Sequence, residues 1–170
     1  SLRVLFDHAQ CVTNKIRQMY GVYFGEYTDT LRMEELKEQR ILDSMEKALE
    51  QHQFQVYYQP KHLSIGGAPV GAEALVRWNH PEYGFMNPGE FIPLFERIGF
   101  IRDLDYYVWT QVCQDINRWK AKGLPLVPVS INLSRRDFEN PNLADRIMEL
   151  IQENGIEPEL IHVELTESAF

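Results

Sequence analysis

A chain of 170 residues, 44% hydrophobic and 25% charged, is long enough to bury a core and ordinary in composition for one globular domain or slightly more. Its 25 acidic against 17 basic residues, net −8, exclude electrostatically driven binding to duplex nucleic acid or anionic membranes, and no apolar run approaches the ~20 residues of a membrane span. Cys11 and Cys113, with no CxxC pair and no signal-like leader, read as reduced thiols of a cytoplasmic protein, any membrane tether lying outside this chain.

Residues 2–20 place Leu5, Ala9, Val12, Ile16 and Met19 at helical spacing, and Gly21 closes that helix ahead of a short strand-like tract, Val22 to Tyr27. Residues 1–33 read as the tail of a preceding domain, because a domain normally opens with elements that its own later elements cover. The charged run "RMEELKEQR" enters a linker helix, residues 34–52, with Leu36, Ile41, Met45 and Leu49 on or near one stripe. The main domain, 53–170, begins with "FQVYYQP", Phe54 to Pro60, a strand by its aromatic and β-branched content. Gly66-Gly67 marks a turn before the next strand, "GAEALVRWNHP". That connection is too short for a parallel crossover, so the two strands are expected to pair antiparallel. Pro88 opens a helix through about Arg97, and a longer one from Asp103 to about Ala121 keeps Val108, Val112, Ile116 and Trp119 in phase. A strand in "LVPVSINLS", a helix from Asn142 to about Asn154 stopped by Gly155, and a strand in "LIHVELTE" complete the pattern of a parallel α/β sheet or barrel.

Successive strand residues face opposite ways. Ala72, Ala74 and Val76 therefore leave Glu73, Leu75 and Arg77 on the other side; Val129, Ile131 and Leu133 leave Ser130, Asn132 and Ser134; Ile161, Val163 and Leu165 leave His162, Glu164 and Thr166. Helices between the strands are expected to cover the apolar face, so the polar face lines an interior. Glu73, Asn132 and Glu164 stand near the carboxyl ends of their strands, where α/β folds place ligands. Two carboxylates and an amide oxygen are hard donors that suit Mg²⁺, Mn²⁺ or Ca²⁺. The competing reading pairs Glu73 with Arg77 and satisfies Asn132 and Glu164 from the backbone, and it stays open at this point. His80, His162, Trp78, Trp109 and Trp119 are assigned to structural roles, and "SRRDF" to a solvated helix start.

The segments "YYQP", "GAEALVRWNHPEYGFMNPGEFIP", "SINLS" and "ELTES", in that order, resemble the successive motifs of the EAL family of bacterial phosphodiesterases, which linearise cyclic di-GMP to pGpG. The resemblance runs from about Phe54 to Phe170. It implies an α/β fold, a β/α (TIM-type) barrel with an antiparallel first strand, about half of it present here. By resemblance Glu73, Asn132 and Glu164 are ligands for Mg²⁺ or Mn²⁺, Glu73 and Glu164 being catalytic; Gln59, Leu75, Arg77 and Pro88 lie at the substrate, and Glu167 supports a loop beside the metals. Residues 1–33 resemble the last helix and strand of a GGDEF domain. The family continues beyond "ELTES" with a DDFGTG-type loop, a lysine and a further glutamate. The chain alone is therefore expected to be inactive, with a two-metal site and a homodimer formed through the EAL domain only in the complete protein. The resemblance also admits an EAL-type receptor that recognises cyclic di-GMP without cutting it.

Overall fold

The computed structural model describes residues 2–17, 23–63 and 67–165. The expected helix closure at Gly21, the first glycine of the Gly66-Gly67 turn and Glu167 lie outside the described residues. The chain divides into two compact units, the first reaching to Asp43 and the second starting at Ser44. In the first, α1 (Leu2–Arg17) and the start of α2 (Asp29–Glu50) follow the helical spacing. Thr28 opens α2 by accepting the Leu31 amide on Oγ1 at 3.2 Å. Residues 23–27, expected as a strand with Val22, belong to no helix or strand; a strand needs a partner ladder, and Tyr23 and Phe24 stand exposed. On α2 Ile41 and Ala48 are buried, whereas Leu36, expected on the same stripe, is exposed. The expected boundary near residue 33 falls inside α2, which is unbroken.

The second unit holds one mixed sheet flanked by helices. Strand β1 (Phe54–His62) pairs antiparallel with β2 (Pro69–His80) from Phe54↔Trp78 to Lys61↔Gly71, as the short connection requires. A short strand not anticipated from sequence, β3 (Gly84–Met86), folds back on the end of β2. After α3 (Pro88–Ile98) and α4 (Ile101–Ala121), β4 (Val129–Leu133) runs parallel to β2. Helix α5 (Leu143–Glu153) then returns the chain to β5 (Ile161–Leu165), parallel to β4. Two strand–helix–strand crossovers after an antiparallel hairpin make part of a β/α barrel. Among the described residues no helix is long and apolar enough to cross a membrane.

Helix boundaries follow local chemistry. Pro88 occupies the first turn of α3, where its missing N–H has no helical partner to lose, and Glu90 accepts the Asn87 amide at 3.1 Å. Gly99 ends α3 at φ 87° and Gly155 follows α5 at φ 63°, a conformation that costs glycine little. The core lies between the sheet and the helices: Trp78, fully buried, packs with Phe54, Phe91 and Phe95 at ring-centroid distances of 4.8, 5.5 and 5.8 Å. Each such ring contributes about 1.5–3 kcal/mol through removal from water. Gly71 lets β2 approach β4, since a Cβ there would stand 3.2 Å from the Pro128 carbonyl that accepts the Ala72 amide. On β5 the expectation of a covered apolar face is corrected: Val163 and Leu165 are each 48% exposed, because no described element packs over them.

Candidate functional site

The register settles which side chains share the inner face. Residues directly opposite in a ladder point the same way, so Gln55, Tyr57, Gln59 and Lys61 of β1 join Arg77, Leu75, Glu73 and Gly71 of β2. Glu73 is level with Ser130, and Asn132 with Glu164. The outer face carries the core: Ala72, Ala74 and Trp78, then Val129, Ile131 and Leu133, are all buried. Tyr58, alternating with Tyr57, points outward and donates its hydroxyl to Asp115 of α4 at 2.6 Å while stacking edge-on against Trp119.

Glu73, Leu75, Pro88, Asn132 and Glu164 line one cleft of about 660 Å³ at the carboxyl ends of β2, β4 and β5. Asn132 Nδ2 donates to Glu73 Oε1 at 3.1 Å, so these two are mutually oriented. Trp109 fixes β4 from behind by donating its indole N–H to the Asn132 carbonyl at 3.1 Å. Glu164 accepts from Lys61, whose ammonium also donates to Ser130 Oγ at 2.9 Å. Hydrogen bonds to Glu164 itself, from Lys61 first and from Ser130 second, hold its carboxyl below the ordinary value. Among the described residues Arg77 makes no ion pair with Glu73; its guanidinium donates to the Val76 carbonyl at 2.8 Å, which removes the structural ion pair considered from sequence. Gln59 is exposed and directly opposite Glu73 on β1. Among the described residues no three His, Cys, Asp or Glu side chains converge, so a cation site here depends on the Asn132 amide oxygen.

Sequence reasoning missed three residues near the cleft. Lys61 lies just past the stretch Phe54–Pro60 read as a strand, one residue before the observed end of β1. Asp105 sits on the buried side of α4 and lines the cleft beside Ser134. Burial first, and the neighbouring Asp137 carboxylate second, push its carboxyl well above the usual range, so it is protonated at neutral pH; among the described residues its Oδ2 has no hydrogen-bond partner. The third, Asp137, corrects the reading of "SRRDF" as a solvated helix start. Residues Asp137–Glu139 form a single 3-10 turn, and the buried Asp137 carboxylate accepts both the Ser134 amide and hydroxyl at 2.7 Å. A charge starting a polar loop looks like surface in sequence, and the missing signal is the backbone turn that swings it inward. His80 is structural, as expected: its Nδ1 accepts the Glu82 and Tyr83 amides at 3.1 and 3.2 Å, leaving Nε2 to donate to Ser44 Oγ at 3.1 Å. His162 is exposed on β5.

A family model described as EAL domain matches residues 42–170. The chain is 34% identical over 129 residues to the bifunctional diguanylate cyclase/cyclic di-GMP phosphodiesterase MucR of Pseudomonas aeruginosa, covering 76% of this chain and 19% of that protein. It is 37% identical over 125 residues to the cyclic di-GMP phosphodiesterase PdeR of Escherichia coli, covering 74% of this chain and 19% of that protein. Among solved structures, the MucR phosphodiesterase in complex with c-di-GMP superposes with a TM-score of 0.72 at 34% identity, covering 76% of this chain and 53% of that one. The FimX domain from Xanthomonas citri, at 19% identity and TM-score 0.65, supports the fold alone. The chain thus spans about a fifth of the length of these curated relatives and about half of the matched MucR structure.

Proposed function

We propose, since the chain belongs to the EAL domain family, that it is the amino-terminal part of a metal-dependent phosphodiesterase domain that hydrolyses cyclic di-GMP to pGpG. The observation that carries this reading is the convergence of Glu73, Asn132 and Glu164 on one cleft at the carboxyl ends of three strands. Their donor chemistry fits Mg²⁺ or Mn²⁺: two carboxylates supply charge, and the amide adds a neutral oxygen without further repulsion. Turning the Asn132 amide over would aim Oδ1 toward Glu73's side of the cleft in place of Nδ2, a change that costs one hydrogen bond.

A bound divalent ion would supply an activated water and neutralise phosphoryl charge. The protein's own part is placement. Glu73 and Asn132, already in contact, would hold the ion from β2 and β4, and Glu164 would hold it from β5. Arg77, tethered among the described residues to a backbone carbonyl, can exchange that bond for a phosphate oxygen, where its planar fork gives paired hydrogen bonds. Leu75 and Pro88 give the cleft an apolar border for the substrate, and Gln59, opposite Glu73, offers an amide to the same face. Glu167 is assigned to loop support beside the ions.

The test is chromatographic detection of pGpG from cyclic di-GMP and Mn²⁺ with the full-length protein, repeated after chelation. Turnover that chelation abolishes supports the reading. Tight nucleotide binding with no product makes the protein a cyclic di-GMP receptor instead.

A further inference from the structure

Lys61 has no part in the chemistry proposed above, yet its side chain is the only one of the β1 inner face that reaches across the sheet to β4 and β5 in the bonds described. It stands level with Gly71 near the end of β1. The ammonium bonds Ser130 Oγ and Glu164 Oε1 together. Ser130 is buried, at 3% exposure, so one end of this bridge is anchored in the sheet.

We infer that Lys61 is a built-in counter-cation of the oxygen-donor site: it holds Glu164 when no metal is bound and sets the site's affinity for divalent ions by competing for that carboxylate. The inference rests on the reading of Glu73, Asn132 and Glu164 as metal ligands. An ammonium and a divalent ion seek the same carboxylate oxygens, and each repels the other. An exposed lysine would relieve that repulsion by swinging into water, at little cost. Lys61, though its side chain is 39% exposed, is in addition bonded to the buried Ser130, which favours keeping its charge near Glu164 when the carboxylate also binds metal. The consequence has a definite sign. Removing the charge must tighten metal binding, whereas loss of a merely orienting contact would weaken it. Lys61 acts through Glu164 and is a positioning residue, not a catalytic one.

The experiment titrates Mn²⁺, without nucleotide, into full-length wild type, Lys61→Met, Lys61→Arg and Glu73→Ala, read by calorimetry and by loss of the free-ion paramagnetic resonance signal. Lys61→Met is expected to bind roughly tenfold more tightly than wild type at low ionic strength, the gap narrowing as salt is raised. Lys61→Arg, which keeps the charge, is expected to bind like wild type. Equal or weaker binding by Lys61→Met overturns the inference. If Lys61→Met does not fold, Lys61→Gln keeps a hydrogen-bonding group for Ser130 and gives the same comparison. A wild type that takes up no Mn²⁺, or a Glu73→Ala variant that binds as wild type does, sinks the metal-site reading and the inference together. Normal behaviour of those two, with Lys61→Met departing from expectation, sinks the inference alone.

Discussion

At the scale of single residues, the site is a contest between charges and the groups that satisfy them. Arg77 shares a strand face with Glu73 but bonds a carbonyl, which leaves its charge available to an anion. Arg77→Ala is therefore expected to weaken cyclic di-GMP binding by about tenfold or more while leaving Mn²⁺ affinity unchanged, and Arg77→Lys to recover little, because an ammonium lacks the planar fork. Separate calorimetric titrations of metal and nucleotide check this; unchanged nucleotide affinity would remove Arg77 from the substrate. Asp105 makes a second prediction with a sign. Its carboxyl is raised from 3.8 to about 9 in the fold, so its contribution to stability is fully present below the unfolded value and is lost as pH rises through the folded one. Asp105→Asn, neutral throughout, should gain thermal stability on wild type between about pH 5 and about pH 9. A gap that is flat with pH would mean that Asp105 is not held protonated.

At the scale of elements, what was legible followed from period and punctuation. The alternation Glu73–Ala74–Leu75 sorts β2 into two faces without any coordinates, and the same holds for Ser130–Ile131–Asn132, so the three oxygen donors could be aligned from sequence. Pro88 and Gly155 marked helix limits because each constrains the backbone locally. Long-range pairing was not legible. Lys61 meets partners 69 and 103 residues away, and nothing near Lys61 encodes them. Asp105 and Asp137 were hidden because buried acids break the rule that charge means surface. The turn after β2 was half legible: "WNHP" marked it, but the role of His80 as acceptor for two turn amides needed β3 to fold back. Burial lowers the His80 pKa from its ordinary 6.5, so the stability it contributes is full above that value and is lost as pH falls through the folded one. The stability advantage of wild type over His80→Ala in thermal melting should therefore shrink as pH falls below 6.5, the variant losing the acceptor of the Glu82 and Tyr83 amides at a cost of about 1 kcal/mol above that pH. An unaltered pH profile in the variant would assign the acid sensitivity elsewhere.

At the scale of the molecule, a mixed sheet starts with an antiparallel hairpin and continues with parallel strands, and its apolar outer face is covered by α3 and α4 while its inner face collects the polar groups. This separation keeps a rigid hydrophobic layer within one residue's reach of the polar face that lines the cleft. The chain belongs to the EAL domain family, and the proposal for it is that Glu73, Asn132 and Glu164 form one metal-binding set. The most direct measurement is the rate of pGpG formation by full-length Glu73→Ala at saturating Mn²⁺, alongside its thermal melting. Removing one carboxylate from a site of like charges should leave the melting temperature of the metal-free protein unchanged or raised, while turnover falls by about a thousandfold or more, since the ion loses the ligand that Asn132 orients. A Glu73→Ala variant that turns over cyclic di-GMP at the wild-type rate would contradict the account.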